Sequence, residues 1–179
     1  MNARTIFPTI ALGFLLVCCT QSNKETLTYT NIEHGFSIAV PEGMTQSTEV
    51  QSNAFILRFR DKAPPADRII MVEVISLTPE KQSLEDFSRE VHSLFLNLAG
   101  HEGHDTASGT ISLSGVPAQW FRMYAKGRGQ EAIMDHYVLV YNMKGYVISH
   151  FTLTDRYDRD KVEAERIIQS FRLLSESKD

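Results

Sequence analysis

In His101-Glu102-Gly103-His104-Asp105 two imidazoles stand three residues apart with the Asp105 carboxylate beside them. Histidine nitrogens and carboxylate oxygens bind zinc and similar divalent ions, so His101, His104 and Asp105 form a candidate metal set. The spacing is not that of the His-Glu-x-x-His helix of zinc proteases: the second histidine comes one residue early, and Gly103 disfavours a helix. A complete site needs ligands from elsewhere in the chain, for which His136 or His150 would have to approach. The alternative is a solvated loop that follows the end of a helix.

A second candidate is Trp120, Arg122 and Tyr124, which alternate along the chain and so share one face of a strand, with Phe121 and Met123 on the other. Aromatic and arginine side chains dominate binding hot spots, which suits a partner or ligand surface. The alternative is that a helix covers this face, with Trp120 in the core and Arg122 paired with a carboxylate such as Glu73.

Other chemistries find no support. Gly127-Arg128-Gly129 is too short to cradle a phosphate and reads as a hairpin turn. Asp155, Asp158 and Asp160 lack the spacing of a calcium loop and read as acids opening a helix. No G-x-S-x-G elbow occurs, and His34, His92, His136 and His150 stand singly as structural or surface residues. No catalytic residue is nominated, and the chain reads as a non-enzyme. A divalent metal at the histidine pair is the one cofactor that the residues suggest.

The only cysteines are the adjacent Cys18 and Cys19. No disulfide can therefore form within the chain that follows, and cysteine catalysis and cysteine-rich zinc sites are excluded there. Ahead of the pair, Arg4 precedes an apolar run from Ile6 to Val17 that is broken by Pro8 and Gly13. This is the layout of a secretory signal, and it falls short of the roughly 18 residues that cross a bilayer as a helix. The junction Leu16-Val17-Cys18-Cys19 resembles the lipobox of bacterial lipoproteins. That resemblance implies removal of residues 1 to 18, acyl chains such as palmitate on Cys19, and a polar tether to residue 26. Each buried methylene of such a chain contributes about 0.8 kcal/mol, enough to hold a protein at a membrane without a spanning helix. The expected location is the cell envelope; Thr20 in place of Asp after Cys19 favours the outer membrane of a Gram-negative host.

Loss of the leader leaves 161 of the 179 residues, a length that fits one domain over residues 27 to 179. Arg4 is the only charge removed, so the net charge moves from −4 to −5. A mildly acidic domain with no basic run argues against nucleic acid, and it leaves membrane attachment to acylation alone.

Candidate residues need a frame. Phe36, Ile38 and Val40 alternate as a half-buried strand, as do Phe55, Leu57 and Phe59, until Ala63-Pro64-Pro65 breaks the pattern. Ile69 to Ile75 is apolar throughout except Glu73, as in a central strand covered on both faces. Ser83 as N-cap, with Leu84, Phe87, Val91, Leu94, Phe95 and Leu98 at helical spacing and Gly100 as the stop, predicts a helix over 83–98. Strands are expected at 110–113, 116–126, 131–142 and 146–154, joined by hairpin-length turns, and then a closing helix over 158–170. This order predicts an α+β domain with a single antiparallel β-sheet of about six to eight strands flanked by two helices.

Gly-Phe-Ser-Ile-x-Val-Pro-Glu-Gly at 35–43, Gly-Val-Pro-Ala at 115–118, Gly-Tyr-Val-Ile at 145–148 and the ending Ile167-Ile168-Gln169-Ser170-Phe171 resemble the PsbP/Mog1-like family, above all its bacterial lipoprotein branch. The resemblance spans about residues 28 to 174 and rests on core and turn positions. It implies a sheet-and-helix sandwich acting as an accessory or binding protein, so the expected partner is an envelope protein in a membrane-associated complex. The metal set points to the alternative, a small-ligand or divalent-metal-binding lipoprotein.

Overall fold

The computed structural model describes residues 25 to 62, 68 to 127 and 129 to 175. The leader, Cys19, the tether as far as Lys24, the Ala63-Pro64-Pro65 break and Arg128 lie outside them. The chain forms β1 (Thr26–Asn31), β2 (Phe36–Pro41), β3 (Met44–Gln51), β4 (Ala54–Asp61) and β5 (Ile69–Ser76), followed by α1 (Leu84–Ala99). Four long strands come next, β6 (His104–Leu113), β7 (Val116–Gly127), β8 (Gln130–Tyr141) and β9 (Lys144–Leu153), before α2 (Tyr157–Gln169) and the short β10 (Arg172–Leu173). Among the described residues no helix is long and apolar enough to cross a membrane.

The expected large antiparallel sheet has seven strands in the order β3-β4-β5-β9-β8-β7-β6. Beside it stands a second, unexpected sheet of three strands, β1-β2-β10. β5 does occupy the interior of the large sheet, between β4 and β9. Its alternation is used on both faces: Ile70, Val72 and Val74 enter one core and Met71 the other. Glu73 falls on the second of these faces, opposite Ile56 and Val147 in the register.

One core lies under α1. Ser83 Oγ accepts the Asp86 backbone N–H at 3.3 Å and caps the helix, and Phe87, Val91, Phe95 and Ala99 form its buried stripe. Gly100, at φ 78°, ends it in a conformation that an L side chain resists. The stripe packs on β7 and β8, against Phe121, Met123, Met134 and Val138.

The opposite face of the large sheet is covered by α2 and the small sheet. Ala164, Ile167 and Ile168 of α2 join Phe36, Ile38 and Val40 of β2 and the terminal Phe171. Phe36 and Phe171 stack with centroids 5.7 Å apart. Burial of side chains of this size stabilises by about 1.5–3 kcal/mol each, so the two cores supply the stability that no disulfide provides. Arg68 ties the sheet to α2 through Asp61, at 2.7 Å, and Glu163.

The two covers are offset: α1 lies over the β7–β8 side of one face, and α2 with β2 lies toward β9 on the other. The β6–β7–β8 side of the α2 face is left partly open.

Candidate functional site

The open part of the α2 face is organised by one buried carboxylate. The register sets Arg122 opposite Asp135 across β7–β8, and Asp135 opposite His150 across β8–β9. Asp135 Oδ1 accepts from Arg122 Nε at 2.6 Å and from the Tyr157 hydroxyl at 3.5 Å, while Oδ2 lies 3.4 Å from His150 Nδ1. Burial pushes the Asp135 carboxyl upward, and the hydrogen bonds from His150 and Arg122 outweigh it, holding the group below the usual carboxylate range.

The clamped guanidinium is walled by aromatic rings. It lies 4.7 Å from the Tyr157 ring centroid and 5.8 Å from that of Trp120, distances suited to cation–π attraction. Trp120 in turn stacks on Tyr137 at 6.4 Å, and burial pushes the Tyr137 hydroxyl up to about 12. Toward β6, Tyr124 meets His104 with ring centroids 5.1 Å apart. Trp120, Arg122 and Tyr124 therefore share one face, as expected, and all three are half-buried.

The alternative reading of that strand is corrected in two respects. The carboxylate partner of Arg122 is Asp135; Glu73 lies on the opposite face, where burial raises its carboxyl. The helix over β7 is α1, and it covers Phe121 and Met123 rather than Trp120. Asp135, Tyr137, His150 and Tyr157 were missed as parts of this surface. An aspartate inside the apolar run of β8, two residues from Tyr137 and hence on the same face, was the signal.

A histidine held by a buried carboxylate is the geometry that orients a general base. His150 is not placed to serve as one, because its side chain has no exposed surface and, among the described residues, Nε2 is buried without a hydrogen-bond partner.

The expected metal set is not assembled. His104 and Asp105 are neighbours on β6, so their side chains leave opposite faces of the sheet. His104 turns to Tyr124, with Nδ1 3.1 Å from the Glu102 carbonyl. Asp105 turns to α1, with Oδ2 2.7 Å from His92 Nε2, while His101 sits exposed in the turn after α1. Among the described residues no group of three or more His, Cys, Asp or Glu could hold a metal ion. The His92–Asp105 pair lines a groove of about 390 Å³ between α1 and the β6 edge, together with Ser88 and Ser108. Among the described residues no hydrogen bond joins either serine to His92, so the pair has no nucleophile positioned to activate.

No family model and no curated protein matches the chain. Solved structures do share the fold. Cyanobacterial PsbP from Synechocystis superposes with a TM-score of 0.65 at 17% identity, over 90% of this chain and 99% of that one. The Ran-binding protein Mog1p of Saccharomyces cerevisiae gives 0.58 at 10% identity, over 85% of this chain and 97% of its own. A Pseudomonas aeruginosa protein of unknown function, described as a putative regulator, gives 0.51 at 11% identity over 86% and 99% of the two chains. The architecture is the PsbP/Mog1-like fold, and at these identities the likeness concerns the fold alone.

Proposed function

We propose that this PsbP/Mog1-like chain is a non-enzymatic lipoprotein of the cell envelope, tethered through acyl chains on Cys19, that serves as a binding module for a membrane-associated complex. Its partner is a protein that docks on the half-open face bearing Trp120, Arg122 and Tyr124. The observation that carries this reading is the Asp135 clamp. A buried carboxylate fixes Arg122 between Tyr157 and Trp120, so the surface is ordered before any partner arrives and little side-chain entropy is lost on docking. Large rigid aromatics around an oriented arginine are the composition of binding hot spots. The sealed His150 and the His92–Asp105 pair without a nucleophile favour binding over catalysis. Mog1p, which shares the fold, is described as a Ran-binding protein.

The test is crosslinking of the full chain in its native membranes, comparing the wild type with Trp120→Ala, Arg122→Ala and Cys19→Ser. Truncating a hot-spot residue costs about 2 kcal/mol or more, so the Trp120→Ala adduct should fall more than tenfold while the protein stays in the membrane fraction. Cys19→Ser should leave that fraction. Unchanged adducts in both Trp120→Ala and Arg122→Ala would sink the docking face, and a membrane-bound Cys19→Ser would sink the anchor.

A further inference from the structure

Seven large apolar side chains are exposed among the described residues, and three of them, Ile32, Val50 and Met143, belong to the same end of the molecule. The register places them there. The β1–β2 turn follows Asn31 and the β3–β4 turn follows Gln51, while Ser76 at the end of β5 faces Lys144. Cross-links join these turns: Lys144 Nζ donates to the Glu33 carbonyl at 3.0 Å, Leu77 N–H to the Met143 carbonyl at 2.8 Å, and Ser76 N–H to the Asn53 carbonyl at 3.1 Å.

Burial in the core does not account for these residues. Ile32 is 85% exposed and Val50 77%. Met143 is 49% exposed and follows Asn142 in a two-residue hairpin turn with φ at 48° and 57°. That turn favours glycine at its second position, where any side chain is strained. The chain thus keeps a strained, water-facing methionine where glycine would fold better.

Two hollows flank Lys144 at this end. One, of about 500 Å³, is lined by Ile32, Tyr141 and Leu174, and a smaller one of about 140 Å³ by Val50 and Phe55. Among the described residues neither Lys144 nor Glu33 forms an ion pair, and the two stand side by side. A patch with apolar knobs, adjacent hollows and one unpaired charge of each sign is complementary to itself.

We infer that this end is an isologous interface between two copies of the chain, with Ile32 and Met143 of each entering the hollows of the other and Lys144 facing Glu33 across the twofold axis. A twofold contact uses the same patch on both partners, so each opposite-charge pair forms twice. The Trp120 face is not part of this end, so the interface does not depend on the docking reading above.

The test uses the full-length protein in detergent, with mass measured by sedimentation. The wild type is expected to be a dimer at concentrations on the order of 0.1 mM or below. Glu33→Lys and Lys144→Glu should each weaken the dimer at least tenfold by setting like charges together, and the double variant should recover it. Ile32→Lys should give monomer with the melting temperature of the dilute, dissociated wild type. A monomeric wild type would overturn the inference, as would a dimer that survives Ile32→Lys or a double variant no tighter than the singles. A monomeric wild type whose Cys19→Ser form binds lipid vesicles through Ile32 would assign the patch to the bilayer instead.

Discussion

Arg122 Nε donates to Asp135 Oδ1 at 2.6 Å between residues directly opposed on β7 and β8. The carboxylate is nearly sealed, at 6% side-chain exposure, whereas the guanidinium keeps 28%. The two halves of this pair should therefore respond differently to removal. Asp135→Ala leaves Arg122, Tyr157 and His150 without their acceptor and should cost about 3–5 kcal/mol, whereas Arg122→Ala leaves Asp135 with two remaining partners and should cost less. Urea unfolding midpoints at constant slope check this, and equal losses would contradict the asymmetry.

Stability should fall with acid, the larger part through His136 and a part of the same sign through His34, which burial also lowers. His136 has no exposed surface and is packed against Phe95 at 3.9 Å, and burial pushes its imidazole from 6.5 down to about 3. The folded state excludes a proton that the unfolded chain takes up below 6.5, so the contribution is present above that pH and lost as pH falls toward 3. Between pH 7 and 5 the loss should be about 2 kcal/mol. Asp135, whose carboxyl is held low, does not titrate in that window. His136→Phe should flatten the slope of unfolding free energy against pH, and an unchanged slope would show that another group carries it.

The chain has a single tryptophan, which makes the Trp120 face observable. A Cβ added at Gly109 would stand 2.9 Å from Trp120 Nε1, inside contact distance. Gly109→Ala should displace the indole and shift its fluorescence emission, with a stability loss of about 1–3 kcal/mol for the overpacking. An unaltered spectrum would mean that the ring is not seated over Gly109.

Met143→Gly should stabilise the monomer by about 1 kcal/mol, because glycine accepts the positive φ without strain. Thermal melting in dilute protein reads this directly. The same substitution should weaken self-association at higher concentration.

The core elements were legible because their periodicity is enforced by burial. The helix expected over 83–98 is α1 at 84–99, and the closing helix expected over 158–170 is α2 at 157–169. Strands with uncovered faces left a weaker trace. β3 reads Met-Thr-Gln-Ser-Thr-Glu-Val-Gln, exposed at every position after Met44, so no alternation marks it. β6 was expected from Thr110 and starts at His104, because its first half is an edge with polar residues on both sides. That error turned a strand into a loop, and only a loop would have let His101, His104 and Asp105 converge. The Trp120 face was legible as an alternation of residue types. Its clamp was not, because Asp135 and His150 come from strands whose register no local pattern encodes.

The first hairpin is sealed by residues that follow α2. Ser170 Oγ accepts the Ala39 backbone N–H at 2.8 Å, Phe171 stacks on Phe36, and Leu174 N–H reaches the Gly35 carbonyl at 2.8 Å. Contacts this far apart along the chain form slowly and only once both ends exist. A chain emerging from the ribosome therefore lacks its closed second core until residues 170 to 174 have been made. Until then the β1–β2 hairpin can pair its own strands but has nothing to close it against α2.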